Sequence, residues 1–432
     1  MKEKMGNNTK KTVITSRVIH PDWTMIYEEY IEPGTGEPIF IDNNETTWST
    51  IEIGNTIHIP IPSDDSAITT YAVRLPTGIL PYGTTKDLFK EIQEHIHTYL
   101  EVSSQFEILA SWYVLLTWIY DRVDTLPYLR ALGDTGTGKS RFLKVIGGLC
   151  YKPMFLSGAA TPAPIFRMIE RWGGTLIIDE ADWYMSDEAS EIIKILNCGF
   201  EKNLPVIRCS NDNPDHMHYF NTYCPKIIAT RRTFKDKALE SRCLTEIMKP
   251  LSRTDIPVLL PRGFHEREKE LRDKLLNWRL KNWLNIDIEA AQGIQLDERL
   301  EPRLRQVMGY LPLLFYGDTN TLGFFEGTLQ EMNQELIAER ASSFDGMIVN
   351  SLLKLHDNNP KDIDPEPISA GDIVDEMKRT YELEKVTPQK VGIHLKALGI
   401  TIARDSKKRG IDWDMEHMAK LRRRYQINGD KK

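Results

Sequence analysis

Cysteine is scarce in this chain. The 432 residues include five cysteines, and no two of them form a Cys-x-x-Cys pair. This scatter argues against a structural zinc site and against a disulfide framework. We therefore expect a reducing, cytoplasmic setting.

Long apolar runs are also lacking. The longest, residues 108–120, covers 13 residues and is interrupted by Ser111 and Thr117. Such a run is too short to cross a bilayer, and it predicts a buried helix. Because the first residues are polar, the sequence predicts neither a secretory signal nor a membrane partner.

Positive charge is confined to one end of the chain. The formal net charge is −7, which taken alone would disfavour a nucleic-acid partner. Residues 1–85 hold 6 Lys and Arg against 11 Asp and Glu, whereas residues 385–432 hold 13 against 5. A localised basic segment is typical of nucleic-acid binding. The alternative is a solvated basic tail.

The most informative feature present is a glycine-rich octapeptide at residues 133–140. A strand-like run precedes it and a run with helical apolar spacing follows it. This context predicts a strand, a phosphate-binding loop and a helix. The predicted nucleotide-binding residues are Gly133, Asp134, Thr135, Gly136, Thr137, Gly138, Lys139, Ser140 and Arg141.

The spacing of this loop has a chemical meaning. Its glycines allow positive φ, so that backbone N–H groups and the helix N-terminus can point at one phosphate. We expect Lys139 to contact the β- and γ-phosphates of ATP and Ser140 to bind Mg²⁺. The alternative is a glycine-rich loop that matches by chance.

An apolar strand ending in acids follows at residues 175–182. Apolar strands between helices are typical of a parallel sheet covered on both faces. Carboxylates at the C-terminal edge of such a sheet face the ligand crevice. We expect Asp179 to hold Mg²⁺ and Glu180 to orient or deprotonate the attacking water. A solvated strand end is the alternative.

The whole pattern predicts an α/β protein in four parts. The predicted boundaries are a β-rich N-terminal domain (1–85), a nucleotide-binding core (86–262), a helical lid (263–345) and a winged-helix domain (346–432). In the first part, strand-like runs fall at 24–27, 38–41, 51–53 and 71–75. In the last, three helices and a strand-turn-strand segment are typical of a winged helix.

Two alternating runs around an Asn/Asp/Pro turn predict a β-hairpin over residues 204–220. It directly precedes another core strand, 226–230. The hairpin carries Arg208, Asn211, Asn213, His216 and His218. The two histidines could also suggest a metal, but no third ligand is evident, and a solvated strand face is the simpler interpretation.

In the order of its motifs, the chain resembles an AAA+ ATPase with a P-loop core. The phosphate loop, the Asp179–Glu180 pair, the polar strand end at Thr230 and the Glu240–Ser241–Arg242 triplet appear in the order of that superfamily. The hairpin and the segment 234–245 resemble MCM-like replicative helicases of phages, plasmids and mobile elements. The resemblance implies that the hairpin touches DNA backbone phosphates, with Arg208, Asn211, Asn213, His216 and His218 as the candidate contacts.

The resemblance implies roles for three further residues. Thr230 is similar to the first sensor, which monitors the γ-phosphate. Arg242 is similar to the arginine finger that a neighbouring subunit inserts, which implies a ring, expected to be a hexamer; pairing with Glu240 on the surface is the alternative. Arg303 is the best match to the second sensor, and Arg305 and Arg272 compete with it.

In the C-terminal part, Lys390 of one helix and Lys407, Lys408 and Arg409 of the wing are candidate DNA contacts. Winged helices also bind proteins, which is the alternative.

The function predicted is an ATP- and Mg²⁺-dependent DNA helicase or replication initiator of a phage or mobile element, with possible replication partners. One alternative is an AAA+ switch that assembles on DNA without processive unwinding. A protein-remodelling enzyme is another, and the basic segment disfavours it.

Overall fold

A computed structural model of the chain describes residues 10–181, 187–209, 215–289, 296–315, 318–358, 367–383, 385–404 and 409–425. The chain forms two compact units, residues 1–322 and 323–432. The four-part division expected from the sequence remains a prediction.

The first unit contains both sheets of the N-terminal part, the central sheet and the hairpin. Its strands are β1 (Lys11–Ile14), β2 (Arg17–Ile19), β3 (Ile26–Ile31), β4 (Pro38–Asp42), β5 (Thr47–Trp48), β6 (Ile51–Ile53), β7 (Thr56–Ile59), β8 (Tyr128–Leu132), β9 (Met154–Ser157), β10 (Leu176–Asp179), β11 (Val206–Cys209), β12 (Met217–Phe220), β13 (Lys226–Thr230) and β14 (Cys243–Ile247). Its helices are α1 (Ser66–Thr69), α2 (Thr85–Tyr99), α3 (Ser104–Thr117), α4 (Lys139–Gly147), α5 (Pro162–Trp172), α6 (Asp187–Cys198), α7 (Lys237–Glu240), α8 (Arg262–Asn282) and α9 (Pro302–Met308). Short 3-10 turns lie at Tyr120–Arg122, Trp283–Asn285 and Leu311–Phe315.

The central sheet has five parallel strands in the order β14-β8-β13-β10-β9. Every residue of β13 is buried, which fits a strand between two paired neighbours in a parallel sheet. Helix α4 packs against β8, β10 and β13. The predicted parallel α/β core is thereby confirmed.

The N-terminal part contributes two small sheets, one in the order β2-β3-β4-β5 and one in the order β1-β7-β6. The strand predicted at 71–75 is wrong. Val73 forms a single antiparallel bridge to Met154, and the Phe155 N–H donates to the Ala72 carbonyl at 2.8 Å. Pro76 removes a backbone donor just beyond this segment, so the pairing does not extend into a strand. The bridge still covers part of the edge strand β9.

A buried network of charges connects the N-terminal part to the rest of the first unit. Glu28 of β3 is fully buried and pairs with Arg279 of α8 (2.8 Å) and with Lys152 (2.9 Å). Arg279 also pairs with Asp121 at 2.6 Å. Burial alone would raise the pKa of Glu28, but Arg279 and Lys152 outweigh it and lower that pKa. Removing one member would leave a buried charge unpaired, which is strongly destabilising.

The second unit begins within a long helix and continues as helices around a small strand pair. Its elements are α10 (Thr319–Ser342, which starts in the first unit), α11 (Phe344–Asp357), α12 (Ala370–Tyr381), α13 (Pro388–Ala397), β15 (Ile402–Arg404), β16 (Arg409–Ile411) and α14 (Met415–Arg424). Strands β15 and β16 are antiparallel. Residues from α11 to α14 share one apolar core.

Helix α10 lies within the region 263–345 that the sequence predicted to be helical, but the sequence patterns did not give its bounds. It contains Gly323 and Gly327, which are poor helix formers. Its apolar residues also show no one-sided distribution that would predict an amphipathic helix.

None of the helices within the described residues is long and apolar enough to cross a membrane.

Glu29, the neighbour of Glu28 on β3, makes the fold sensitive to pH. It is fully buried, and burial raises its pKa from 4.5 to about 8, although Lys152 favours the charged form. The unfolded chain therefore releases this proton at lower pH than the folded chain. This carboxyl consequently makes folding less favourable as pH rises from about 4.5 towards 8.

We expect Glu29→Gln to remove this dependence. At pH 8 the variant should be more stable than wild type by roughly 4 kcal/mol, whereas at pH 4.5 the two should be nearly alike. Urea unfolding at both pH values measures this. Glu52→Gln, at a half-exposed surface position, is the control. A difference between Glu29→Gln and wild type that does not change with pH would contradict the assignment.

Candidate nucleotide-binding site

The loop between β8 and α4 has the backbone that the glycine spacing predicted. Gly136 and Gly138 have φ of +84° and +93°, and Gly138 caps the N-terminus of α4. A Cβ at Gly133 would lie 2.8 Å from both the Met248 carbonyl oxygen and Thr137 Oγ1. Glycine is therefore required at Gly133 by close approach and at the other two positions by conformation.

Lys139 is buried beneath this loop. Its Nζ donates to the Asp134 carbonyl at 2.6 Å, and Thr137 Oγ1 donates to the same oxygen at 2.8 Å. Lys139 makes no ion pair with a carboxylate among the described residues. The ammonium is thus held inside the loop by an uncharged acceptor, as a phosphate-binding lysine requires.

The remaining loop residues are accessible to a ligand. Asp134, Thr135 and Ser140 are exposed, and Ser140 lies in the first turn of α4. Arg141, by contrast, is engaged within the chain, because its guanidinium donates to the Pro257 carbonyl at 2.6 Å and to the Val258 carbonyl. These two hydrogen bonds hold the segment that follows β14 beside the phosphate loop.

Thr230 lies between the phosphate loop and the acids. It ends β13, pairs in register with Leu132 of β8, and accepts a hydrogen bond from Gly133 N at its carbonyl (3.1 Å). On the other side of β13 runs β10, which ends at Asp179. Because adjacent strands are about 4.8 Å apart, the loop, Thr230 and Asp179 share one edge of the sheet. The sequence predicted these residues, but it did not predict that Thr230 lies between the phosphate loop and Asp179 across the sheet.

The Thr230 hydroxyl is buried and has no hydrogen-bond partner among the described residues. A buried hydroxyl without a partner is unfavourable. Its position between Lys139 and Asp179 suits a group that bonds a ligand or its attacking water.

Glu180 follows Asp179 in an unusual backbone conformation. Its φ is +55°, and its N–H donates to Asp179 Oδ1 at 3.0 Å. Positive φ at a non-glycine residue is strained and often marks a functional site. Its side chain is 70% exposed, and Oε1 lies 3.4 Å from Nη2 of Arg231. In this position the Glu180 carboxylate is directed towards Arg231 at the end of β13.

These residues fit a nucleotide and Mg²⁺. Ser140 and Asp179 would hold the cation, and Mg²⁺ usually takes few protein ligands together with phosphate oxygens and water. When bound, the cation would supply charge neutralisation on the phosphates. No group of three or more His, Cys, Asp and Glu side chains able to hold a metal occurs in the described part of the chain.

Arg242 lies at the opposite end of the central sheet. It directly precedes β14, which runs parallel to β8, and its carbonyl accepts from Tyr128 N at 2.9 Å at the start of β8. The phosphate loop follows the other end of β8. One five-residue strand, roughly 16 Å, therefore separates Arg242 from its own phosphate loop.

Arg303 lies beside Arg242. Both guanidiniums lie over the ring of Phe200, at 4.9 Å for Arg242 and 5.5 Å for Arg303. Arg242 donates to Asn197 Oδ1 at 2.7 Å and Arg303 to Gln306 Oε1 at 2.6 Å. Within the described residues, neither makes an ion pair with a carboxylate. Burial, and after it the charge of Arg303, lowers the pKa of Arg242.

Two other residues considered from sequence, Glu240 and Arg272, have structural partners. Glu240 pairs with Arg130 (2.6 Å), and in the described part of the chain it makes no pair with Arg242. Arg272 is buried and pairs with Glu268 at 3.2 Å. Phe200 and Asn197, which position Arg242, were missed because both come from the end of α6 and the turn after it.

The predicted hairpin is confirmed as the antiparallel pair β11–β12. One face packs on the protein: Phe220 contacts Phe166 of α5 at 4.3 Å, and Arg208 pairs with Glu191 of α6. The opposite face carries the exposed cross-strand pairs Ile207–Tyr219 and Cys209–Met217. Sequence reasoning missed this apolar face, although the alternation of the strands could have indicated it.

The other predicted DNA contacts are only partly described. His216 and His218 are exposed, with ring centroids 4.9 Å apart. Asn211, Asn213, Lys407 and Lys408 lie outside the described residues. Arg409 opens β16. Lys390 is exposed on α13, with Nζ 4.4 Å from the Phe344 ring centroid.

Comparisons with known proteins give structural likeness alone. No protein-family model matches the chain, and no curated protein matches it.

Several solved structures are similar at low identity. The SCCmec type IV Cch active helicase is 11% identical, with 95% of this chain and 80% of that chain covered and a TM-score of 0.47. The apo C-terminal region of NrS-1 is 8% identical, with 88% and 94% covered and a TM-score of 0.36. The Aeropyrum pernix ORC1 protein in complex with DNA is 13% identical, with 79% and 92% covered and a TM-score of 0.23. These TM-scores are below 0.5, so the proposals below depend on the residues of this chain.

We expect Thr230→Val to impair ATP turnover without harming the fold. The buried hydroxyl has no partner among the described residues, so its loss should leave the melting temperature equal or higher. If the hydroxyl contacts the reacting groups, kcat should fall roughly 10²-fold while ATP affinity changes little. ATP hydrolysis and nucleotide binding measure the two effects.

Thr175→Val is the matched control. Thr175 has an equally buried hydroxyl for which the described residues offer no partner, but it precedes β10 at the other end of the strand. Equal kcat losses in the two variants would show that Thr230 has no special role.

Proposed function

We propose that this protein is an ATP-hydrolysing motor that moves along single-stranded DNA, as a helicase or replication initiator of a phage or mobile element. Its subunits form a ring, and each nucleotide site is completed between two neighbouring subunits. The observation that carries the proposal is the arginine pair Arg242 and Arg303. The described residues supply neither with a carboxylate partner, and the pair lies about one strand length from the phosphate loop of its own subunit.

The chemistry within one subunit follows from the shared sheet edge. Lys139 and the α4 N-terminus would bind the phosphates, and Ser140 and Asp179 would hold Mg²⁺. Glu180 would turn from Arg231 to accept a proton from the attacking water or to orient it. The Thr230 hydroxyl would donate to the γ-phosphate or to that water.

Completion of the site by a neighbour explains the position of Arg242 and Arg303. Two adjacent guanidiniums repel each other, and an anion placed between them would relieve that repulsion. Their own nucleotide is out of reach, so the anion would be the γ-phosphate bound by another subunit. An arginine supplied in this way contributes about 10³–10⁵ in kcat. Hydrolysis would therefore depend on ring assembly.

The hairpin β11–β12 offers a route from hydrolysis to DNA movement. It is joined by a short segment to β13, whose last residue is Thr230. A change at the γ-phosphate would therefore reach the hairpin through one strand. The exposed Tyr219 could stack on bases, an interaction that single-strand-binding proteins use without sequence preference.

Unwinding of a forked DNA with ATP tests the motor directly. Wild type should separate the strands, and Lys139→Ala should neither hydrolyse ATP nor unwind, because the phosphates lose their cationic partner. Strand release and phosphate release are measured in parallel. ATP hydrolysis by an assembled wild type without unwinding would reject the motor and leave a DNA-bound switch.

Mixing two inactive variants tests the shared site. Arg242→Ala keeps Lys139, and Lys139→Ala keeps Arg242, so a mixed ring regains complete sites at some subunit boundaries. With equal amounts and random order, about a quarter of the sites are complete, and ATP hydrolysis should reappear on mixing. Arg242→Ala alone should lose roughly 10³-fold in kcat.

Arg303→Ala should behave as Arg242→Ala does in this experiment. Arg299→Ala is the control, because Arg299 is 86% exposed and pairs with Asp297 at 2.6 Å nearby. Full hydrolysis by Arg242→Ala alone, or no recovery on mixing, would reject the shared site.

A further inference from the structure

Helix α13 has one face in the core and one face in solvent. Val391 and Leu395 are fully buried. Gln389, Lys390, Ile393 and Lys396, on the opposite side of the helix, are exposed. Thr387 caps the helix by accepting from Lys390 N at 3.3 Å, so the N-terminal turn that carries Gln389 and Lys390 is fixed.

Ile393 is 70% exposed at the middle of this face. A single exposed apolar side chain is ordinary, but the neighbours of Ile393 are informative. Lys390 and Lys396 flank it, and α13 itself contains no Asp or Glu. His394, at the edge of the face, bonds Asp345 at 2.6 Å. The face is therefore basic with an apolar centre.

Gly392 is unexplained by packing within the chain. It lies in the interior of α13, where glycine destabilises a helix by about 1 kcal/mol relative to alanine. A Cβ at this position would meet no atom of the described residues within 4 Å, and its φ is not positive. On a helix, residue 392 neighbours Gln389 and Lys396. The missing side chain lets a partner approach the backbone closely beside them.

We propose that α13 enters the major groove of duplex DNA and reads base pairs, with Gln389 and Ile393 as the specificity-determining residues. This inference rests on the proposed action on DNA. The major groove admits a helix, and its base edges present amide-compatible sites on adenine and a methyl group on thymine. The amide of Gln389 matches the adenine sites, and the apolar side chain of Ile393 matches the thymine methyl group. Lys390 and Lys396 match the flanking phosphates or guanine edges, and the charge of the face is complementary to DNA.

Selection from a randomised duplex pool by the full chain, without ATP, tests this base-reading role. The pool should yield an enriched sequence, and its affinity is then compared with that of a scrambled duplex by fluorescence anisotropy. Ile393→Ala and Gln389→Ala should weaken binding of the selected duplex by about 5- to 100-fold and leave the scrambled duplex unchanged. Lys390→Ala should weaken both and reduce the salt dependence.

Two further variants separate base reading from folding. Gly392→Ala should raise the melting temperature of the chain but weaken binding of the selected duplex, because the added methyl group blocks close approach. Met415→Ala is the matched control, since Met415 is 71% exposed on another helix of the same unit, and it should change neither affinity.

Three results would overturn the proposal: no enriched sequence, equal losses on both duplexes for Ile393→Ala, or a loss of self-association with no change in DNA affinity. The last would assign the face to a protein partner. Because this binding measurement needs no ATP, the two proposals can fail separately. A preference for one duplex sequence in a protein that does not unwind DNA would contradict the proposed motor function but support base reading by α13.

Discussion

The shared direction of the five central strands decides where the residues of the candidate site lie. Because β8, β13 and β10 are parallel and adjacent, the phosphate loop, Thr230 and Asp179 must meet at one edge. The same direction forces Arg242, which precedes β14, to the opposite edge. The parallel direction of the strands therefore brings the candidate nucleotide-binding residues together and places Arg242 of the same chain at the other end of the sheet.

The first unit contains two kinds of charged side chain: those in buried ion pairs and arginines that bond amide oxygens. Glu28, Arg279 and Asp121 are buried and paired, so their desolvation is offset and they connect the N-terminal strands to α8. Arg242 and Arg303 instead donate to the amide oxygens of Asn197 and Gln306 and meet no carboxylate among the described residues. Removing one partner of a pair of the first kind leaves an unpaired buried charge, which destabilises the fold. Under the proposed function, charges of the second kind would bind an anion that the described part of the chain does not provide.

Much of the candidate site could be predicted from sequence because its parts are local. The spacing of residues 133–140 specifies a turn and a helix start, and an apolar strand ending at Asp179 needs no distant contact to be identified. The segment 71–75 was misassigned, since its apolar residues make a single bridge rather than a strand. The bounds of helix α10, inside the predicted helical region 263–345, were not predicted, because its glycines and its uniform apolar distribution give no one-sided pattern.

By itself the sequence determined the phosphate loop, the acid pair, the strand that carries Thr230 and the hairpin, because each depends on residues within one turn or one strand. The tertiary structure alone decided that Arg303 lies beside Arg242 on Phe200, that Arg208 faces α6, and which side of the hairpin is exposed. These relations depend on contacts between distant segments. No local spacing encodes them, since which face of an element is packed depends on the elements that surround it in the fold.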